Sequence, residues 1–449
     1  MAYNSADGKR PIEYASKINH SAIIKSKEIK QFLDDCDVLN LDLGKHVMPL
    51  GNSVMYGMPK NIKYIFTVDG SYNETFINKK FPSVALAYFN IGVLSFEMKD
   101  YDAISSEVVI NPEHLKKLKE VSKTTFAIPT QNLSRKGVSS FSDSVRKTIS
   151  EIFSNSNHSS LKMNDLNDTL AWLIFEKWGD GLPFVAFKCP QDSCDGETNF
   201  SFSDRVKVCP KCEKDIYLGD FIRLHALITE PTGASGIVSF LCSVVEQLYI
   251  FEIIKHFYYS DRSALNEIVF IKDGPLAFFS KTFLLCEKSR KLINFLYKEG
   301  VAINYIGLEK SGSFVDHAIL LKDKLKVGKY YIFNDDYIRK YVKPQSSDSF
   351  YGFNTYYGKK VMFKTEQGDV LIGVIPVIEY KGENLASELI NPEVCLNTVS
   401  KLRCNMYDNS LVPISLINKL VSIAALPSAN ILETFTKQAF HGQKNTYEG

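Results

Sequence analysis

YIFTVDG (64–70) and IVFIKDG (268–274) are two apolar runs that end in the same pair, Asp-Gly. An apolar run of this length that stops at turn-forming residues is typical of a buried β-strand. After the second run, the pattern predicts a helix at about 281–299, a strand at 301–308 and a helix at about 312–325. Because strands and helices alternate here, the sequence predicts an α/β fold.

The rest of the chain adds strands before this alternation and helices after it. VALAYFNIGVLSFEM (84–98) predicts one or two strands, and the Ser- and Lys-rich stretch 111–160 indicates either a solvated insertion or a mobile, DNA-facing excursion. The other predicted elements are a helix at 164–178 capped by Asn164 or Asp165, a helix at 233–259, a hairpin at 350–380 with its turn at 366–369, and helices from 392 to 440 with breaks near Pro413 and Pro427.

The composition is that of a folded protein without strong bulk charge. Of 449 residues, 45% are hydrophobic and 23% are charged, and the net charge is +2, so any nucleic-acid-binding surface must be a local patch. The N-terminus lacks the pattern of a signal peptide, and the longest apolar run, Ile237–Ile254, is interrupted by Glu246, Gln247 and Glu252. We therefore expect a cytoplasmic protein without a membrane partner.

Four of the nine cysteines form two close pairs. Cys189 and Cys194 make the first pair, Cys209 and Cys212 make the second, and fourteen residues separate the two pairs. Each pair can place two thiolates on one tetrahedral ion, and the intervening residues alternate like a short β-hairpin. Because four thiolates leave no open coordination position, the sequence predicts a zinc ribbon with a structural Zn²⁺. The five scattered cysteines fit a reducing compartment.

Asp69 and Asp273 end their predicted strands in the same way. Aspartates at the carboxyl ends of neighbouring strands could hold divalent cations, and phosphodiester hydrolysis by two metal ions about 3.5–4 Å apart needs such oxygen ligands. The alternative is that each Asp-Gly pair is a plain turn, since Gly takes a positive φ and Asp tolerates turns. The two aspartates alone leave both interpretations open.

Four motifs follow one another along the chain. They are VDGS (68–71) at the first strand, a glutamate on a long helix (229–257), DGPL (273–276) at the second strand and GLEKSG (307–312) after the next strand. This order resembles the NurA family of DNA-end-processing nucleases, best over about 64–75 and 229–340. It is weak in the Ser-rich stretch and in the C-terminal helices.

The resemblance implies metal-binding roles for three acidic residues. Asp69 matches the family's first aspartate, Asp273 matches the second, and Glu246 matches the helix glutamate, with Glu252 as the reserve candidate. Because the two glutamates are six residues apart on different faces of the helix, at most one should reach the site.

Two further candidates follow the second aspartate. Lys310 could contact a phosphate, and His317 could assist water activation or bind phosphate, with Asp316 beside it as a further ligand. The alternatives are an ordinary surface lysine and a structural histidine on the apolar face of a helix.

One family feature has no counterpart in this sequence. NurA proteins usually carry a histidine in the C-terminal helical region, but the corresponding stretch, VPISLINKLVSIAA (412–425), has none. Asn418 or Lys419 occupies that place, and His441 is out of register. The identity of the fourth metal ligand is therefore open.

The resemblance implies a fold and an activity. The fold is ribonuclease-H-like: a mixed five-stranded sheet flanked by helices, with the inserted four-cysteine zinc ribbon and a C-terminal helical region. The activity is that of a DNA nuclease dependent on Mn²⁺ or Mg²⁺, with 5′–3′ exonuclease and single-strand endonuclease functions. A homodimer working beside a HerA-like hexameric ATPase is implied, in DNA repair or in defence against foreign DNA.

On this basis we expect five segments. They are an N-terminal helical arm (1–60), the first half of the nuclease core with the Ser- and Lys-rich excursion (61–182), the zinc ribbon (183–225), the second half of the core (226–380) and the C-terminal helical region (381–449).

Three alternatives are kept. The first is a catalytically inactive relative that clamps DNA or docks on the ATPase. The second is another nuclease with a ribonuclease-H fold, specific for guide strands or junctions. The third is a zinc-ribbon interaction protein in which the Asp-Gly pairs are turns.

Overall fold

The two apolar runs lie side by side in one large sheet. The computed structural model describes residues 17–36, 52–53, 62–78, 83–105, 120–155, 165–343, 350–380, 386–403, 411–423 and 427–441. The strands are β1 (Asn52–Ser53), β2 (Tyr64–Asn78), β3 (Val84–Glu97), β4 (Glu120–Gln131), β5 (Val185–Lys188), β6 (Glu197–Phe200), β7 (Val206–Val208), β8 (Asp215–Tyr217), β9 (Ile268–Asp273), β10 (Asn304–Glu309), β11 (Lys329–Ile332), β12 (Gly358–Lys364) and β13 (Val370–Pro376).

Helices cover the sheet, and short 3-10 or π-helical turns precede or follow several of them. The α-helices are α1 (Lys17–Lys25), α2 (Lys27–Asp34), α3 (Met98–Ser105), α4 (Phe141–Ser154), α5 (Leu166–Ile174), α6 (Val238–Ser260), α7 (Leu284–Lys298), α8 (Ser313–Leu320), α9 (Asp335–Tyr337), α10 (Pro392–Lys401), α11 (Val412–Val421) and α12 (Ser428–His441). The chain divides into two compact units, residues 1–49 and 50–449. Helices α1 and α2 belong to the first unit.

The main sheet has the strand order β1-β11-β12-β13-β10-β9-β2-β3-β4. Strands β2, β9 and β10 are parallel neighbours, and β3 and β4 follow β2 in antiparallel fashion. The strands β4-β3-β2-β9-β10 thus form a mixed sheet of ribonuclease-H-like type, which confirms the predicted fold class. Strands β13, β12, β11 and β1 extend it to nine strands within the described ranges, beyond the five that the resemblance implies.

Strand β2 continues through the first Asp-Gly pair. Its residues 64–68 pair with β9, whereas its pairing with β3 extends to Asn78. The predicted turn at Asp69-Gly70 is therefore wrong, because hydrogen bonding to β3 keeps both residues in the strand. The second pair behaves as predicted: β9 ends at Asp273, and Gly274 has a φ of +102°, which glycine adopts without steric cost.

Helix α6 packs on one face of the sheet, against β2 and β3. Phe66, Val68 and Phe270 point toward it from alternate strand positions and share its hydrophobic core. With its preceding turn, this helix (Ser235–Ser260) is the one among the described residues that is long and apolar enough to cross a membrane. In its most apolar 18-residue stretch, 83% is buried inside the protein, as in the core helix of a globular domain.

Helices α10 and α11 cover the opposite face. Their apolar side chains form a second core with Ile65 and Ile271, which lie on that side of β2 and β9. The breaks predicted at two prolines are present, because Pro413 lies in the first turn of α11 and Pro427 immediately precedes α12.

The Ser- and Lys-rich stretch contributes two regular elements, β4 and α4, to the second unit. Its residues 111–119 and 156–160 lie outside the described ranges. The helix cap predicted for the next helix is confirmed, since Asp165 accepts a hydrogen bond from the Asp168 backbone N–H at 2.7 Å. The alternative cap, Asn164, lies outside the described residues.

Candidate functional site

Three acidic side chains, from two strands and one helix, converge where β9 ends beside β2. The register pairs Val68 with Lys272, so Asp69 and Asp273 take equivalent positions one residue further along. Glu246 lies in the middle of α6, the helix that packs against β2 and β3. Parallel pairing thus brings together two aspartates that are about two hundred residues apart in the chain.

Gly70 allows the helix carboxylate to approach the strand. A Cβ atom at residue 70 would lie 2.9 Å from Glu246 Oε1, 2.7 Å from Cys242 Sγ and 2.5 Å from Ile91 Cδ1. Packed side chains do not tolerate such distances, so residue 70 has no room for a side chain. The glycine of the first Asp-Gly pair therefore serves a close approach and not a turn.

Each carboxylate accepts one strong hydrogen bond from the protein. The bonds are Gly70 N to Asp69 Oδ1 (2.9 Å), Lys310 Nζ to Asp273 Oδ2 (2.6 Å) and Lys272 Nζ to Glu246 Oε2 (2.9 Å). The second oxygens of Asp69 and Asp273 have no donor in the part of the chain that the structure describes. Oε1 of Glu246 accepts a weak hydrogen bond from the Cys242 thiol, whose Sγ lies 3.7 Å away.

Lys272 is a member of this site that the sequence analysis missed. Its side chain is buried, and besides Glu246 it contacts the backbone carbonyl of Asp273 at 2.9 Å. The signal was a single lysine inside the apolar run IVFIKDG, at a position that alternation places on the same face as Phe270. A buried lysine needs an anionic partner, and Glu246 supplies it.

The site is strongly coupled electrostatically. Burial, together with the charges of Glu246 and Asp273, raises the pKa of Asp69 to about 7, against the opposing effects of the Gly70 N–H and of Lys310. Burial lowers the pKa of Lys272, but the Glu246 carboxylate outweighs this effect and holds the pKa above its ordinary value. Burial also raises the pKa of Glu246, although Lys272 opposes it. Clustered carboxylates with raised pKa values are typical of functional sites.

The donor set fits a hard divalent cation such as Mg²⁺ or Mn²⁺. Carboxylate oxygens are the ligands these ions prefer, and one oxygen of each acidic residue is not engaged by a strong donor. Formally, three carboxylates face two ammonium groups, Lys272 and Lys310, so an excess negative charge is left for a cation. The charges of both other carboxylates raise the pKa of Asp69.

The reserve candidate, Glu252, lies elsewhere on α6. It is buried, pairs with Lys255 at 2.6 Å and accepts a hydrogen bond from Thr169 of α5. The two glutamates of the helix therefore have separate lysine partners, and the structure brings Glu246 to Asp69 and Asp273.

His317 lies in an aromatic cluster. It is buried, its Nε2 is 2.9 Å from the Tyr337 hydroxyl, and its ring contacts Tyr337 and Phe333. Asp316 is exposed on the surface of α8. The catalytic roles of these two residues remain predictions, whereas Lys310 is in direct contact with Asp273.

The C-terminal helices reach the strands that carry the site. The Ile423 backbone N–H donates to Ser71 Oγ at 3.2 Å, and Asn90 Nδ2 donates to the Val421 carbonyl at 2.9 Å. Ser71 is two residues from Asp69, so the end of α11 lies beside the acidic site. Asn418 and Lys419 are exposed, and the side chain of His441 lies outside the described residues.

The four cysteines form a separate cluster between two short hairpins, β5–β6 and β7–β8. Cys189 Sγ lies 3.5 Å from Cys212 Sγ, and Cys194 Sγ lies 3.7 Å from Cys209 Sγ. A tetrahedron of metal–sulfur bonds about 2.3 Å long has edges of about 3.8 Å, so the four thiols fit one metal ion. Among the described residues this is the group of three or more metal-binding side chains whose donor atoms all lie within 4.8 Å of one another. The three carboxylates are more widely spaced.

No protein-family model and no curated protein matches the chain. The crystal structure of the NurA nuclease from Sulfolobus solfataricus aligns at 9% identity and a TM-score of 0.34, covering 97% of this chain and 100% of its own. A second structure, described as NurA, aligns at 12% identity and a TM-score of 0.25, covering 97% of this chain and 99% of its own. Both alignments extend over nearly the whole chain at low sequence identity.

Proposed function

We propose that this chain is a metal-dependent DNA nuclease of the NurA type. The observation that carries the proposal is the convergence of Asp69, Glu246 and Asp273, each with one oxygen left for a cation, next to Lys310. The order of the VDGS, DGPL and GLEKSG motifs, which resembles NurA sequences, supports DNA as the substrate. The proposed activities are 5′–3′ exonuclease and single-strand endonuclease.

The proposed chemistry is in-line hydrolysis of a phosphodiester with two divalent cations. Mn²⁺ or Mg²⁺ bound at this site would supply a nucleophilic water at neutral pH and stabilise charge on the leaving oxygen. Asp69 is a proposed ligand, at the end of the β2 segment that pairs with β9. Glu246 and Asp273 are the other proposed ligands.

Lys310 has the position expected of a phosphate-binding group. Its side chain is 32% exposed, so it lies at the rim of the site while its Nζ contacts Asp273. From there the ammonium can turn toward a phosphate oxygen of the substrate and offset its charge. Removal of this charge should weaken DNA binding and slow cleavage.

The other assignments extend the same proposal. We assign Zn²⁺ to the cysteine cluster, in a structural role, because four thiolates close its coordination sphere. A homodimer, a HerA-like hexameric ATPase and a cytoplasmic setting, in repair or antiviral defence, follow from the motif resemblance. His317 is a candidate for a catalytic role through this resemblance alone.

The decisive test is cleavage of linear and single-stranded DNA in the presence of Mn²⁺. The wild-type chain should cut, whereas Asp273→Ala and Asp69→Ala should lose at least about a hundredfold in rate, since each removes a metal ligand. Asp195→Ala, which changes an exposed aspartate of the ribbon, is the control and should cut like the wild type. A wild-type chain that cuts neither substrate would contradict the proposal.

The second candidate function is a catalytically inactive adaptor that clamps DNA or docks on the ATPase. Two observations favour it: the stretch 412–425 contains no histidine, and Lys272 already neutralises Glu246. DNA binding without cleavage, unchanged in Asp273→Ala, would favour the adaptor over the nuclease.

A further inference from the structure

Lys272 places a buried ammonium group against the acidic site. It lies 2.9 Å from Glu246 Oε2 and 2.9 Å from the backbone carbonyl of Asp273, so it contacts two of the three acidic residues at once. A divalent cation bound to the same residues would experience its repulsion at short range.

Lys272 is also held in place. It lies near the end of a central strand, opposite Val68 of β2, and its side chain is 5% exposed. Gly274 leaves room for its ammonium group, because a Cβ atom there would lie only 3.3 Å from Lys272 Nζ. Lys310, by contrast, is 32% exposed and can leave its partner for solvent or substrate.

We propose that Lys272 is a built-in cation of the acidic site that competes with a divalent ion for Glu246. This inference rests on the proposed function and adds to it a reason for weak metal binding in the absence of DNA. With Lys272 in place, a cation must share Glu246 with an ammonium group, so the carboxylates alone bind it weakly. A substrate phosphate adds anionic oxygen ligands, and the cation is then bound together with the DNA.

The same helix offers a matched control. Lys255 is 5% exposed and pairs with Glu252 at 2.6 Å, in a buried ion pair like that of Lys272 and Glu246. The structure gives this second pair no contact with Asp69 or Asp273 among the residues it describes. Loss of either lysine removes the ammonium partner of a buried glutamate, but only Lys272 should influence metal binding.

The test is titration of the zinc-loaded full-length protein, without Mg²⁺ or DNA, with Mn²⁺, by calorimetry and by the shift in Tm. Lys272→Gln keeps a hydrogen-bond donor but removes the charge, and should bind Mn²⁺ about tenfold or more tightly than the wild type, with a larger Tm shift. Lys272→Arg keeps the charge and should bind like the wild type. Lys255→Gln should lose stability without any change in Mn²⁺ affinity.

Weaker or unchanged Mn²⁺ binding in Lys272→Gln would overturn the inference. The proposed nuclease function would still stand if the wild type binds Mn²⁺ and cuts DNA. A wild type that neither binds Mn²⁺ nor cuts DNA removes the proposed function as well. Should Lys272→Gln not fold, Lys272→Met takes its place, because it keeps most of the side-chain volume without the charge. It should bind Mn²⁺ more tightly than the wild type, since the repulsion of the lysine is gone, and an unchanged affinity would again overturn the inference.

Discussion

Glu246 Oε1 lies 2.9 Å from the point that a Cβ atom of residue 70 would occupy, so Gly70 and Glu246 share one small space between the sheet and α6. A glycine inside a strand costs roughly 0.5–1 kcal/mol in stability. Here it brings the third carboxylate of the acidic site next to Asp69.

Substitution Gly70→Ala should therefore disable the site. The added methyl group must displace the side chain of Glu246, Cys242 or Ile91, and Glu246 is a proposed metal ligand. We expect a loss of at least about tenfold in Mn²⁺ affinity and a larger loss in DNA cleavage. Both can be measured by calorimetry and by a nuclease assay.

Gly236→Ala is the matched control for this variant. Gly236 lies just before α6, and a Cβ atom there would meet nothing within 4 Å. It should bind Mn²⁺ and cleave DNA like the wild type. Equal behaviour of the two alanine variants would show that Glu246 does not need the space at residue 70.

The two buried glutamates of α6 should respond differently to the same change. Glu246→Gln should lose Mn²⁺ binding and slow cleavage by about a hundredfold or more, because it removes a proposed metal ligand. Glu252→Gln should lower Tm, because it leaves Lys255 buried without a charged partner, but should keep Mn²⁺ binding. Calorimetry and thermal melting separate the two effects, and loss of Mn²⁺ binding in Glu252→Gln alone would reverse the assignment.

The metal-free protein should lose stability as the pH rises from about 4 to about 7. The pKa of Asp69 is raised to about 7 by burial and by the neighbouring carboxylates, so between these pH values the folded state holds a proton that the unfolded state releases. Stability is therefore highest at the acid end of this window, and the contribution of Asp69 has no further pH dependence above it. Denaturant unfolding of the zinc-loaded protein, without added Mg²⁺ or Mn²⁺, measures this dependence.

Asp69→Asn should weaken this pH dependence, leaving the part that comes from the raised pKa of Glu246, and should stabilise the protein without Mn²⁺ at pH 8 by an amount on the order of 2 kcal/mol. The same variant should no longer gain stability from Mn²⁺. Asp195→Asn, at an exposed position, should leave both quantities unchanged. A variant Asp69→Asn that is less stable than the wild type without metal would contradict this account of the site.

The cysteine cluster should hold one zinc ion per chain. Cys209→Ser should lose the metal, as measured by elemental analysis, and should lower Tm, because β5–β6 and β7–β8 are joined through the thiolates. Cys395→Ala, which changes a buried cysteine elsewhere, should keep the full zinc content. An equal zinc content in the two variants would place the ion outside the cluster.

Much of the fold could be predicted from apolar periodicity. The runs 64–70 and 268–274 and the pattern at 233–259 predicted the central strands and α6. Asp-Gly at residues 69–70 was misleading, because a local turn signal cannot reveal that β3 will continue to pair with β2 as far as Asn78. Tertiary pairing decided the conformation there.

Strand β4 was hidden by its composition. It lies at the end of the sheet's strand order, and polar residues such as Ser122 and Thr124 interrupt its apolar pattern. Thr124 forms a hydrogen bond of 2.8 Å with the Tyr249 hydroxyl of α6, and a local sequence pattern cannot predict such a long-range contact. An outer strand of this kind is easily mistaken for a polar loop.

The candidate site was predicted through its aspartates but not through its cations. Lys272 lies in an apolar run, and its contact with Glu246 depends on how α6 packs on the sheet. Sequence spacing also could not show that Gly70 is required for a close approach, because both partners of that contact come from distant parts of the chain.

The parallel pairing of β2 with β9 has a consequence for synthesis of the chain. Tyr64 pairs with Ile268, about two hundred residues later, so the edge of β2 stays unprotected on the ribosome until β9 has emerged. During that interval the nascent β2–β3 hairpin exposes an apolar edge that can pair with another chain. Slow translation or truncation before residue 268 should therefore favour aggregation.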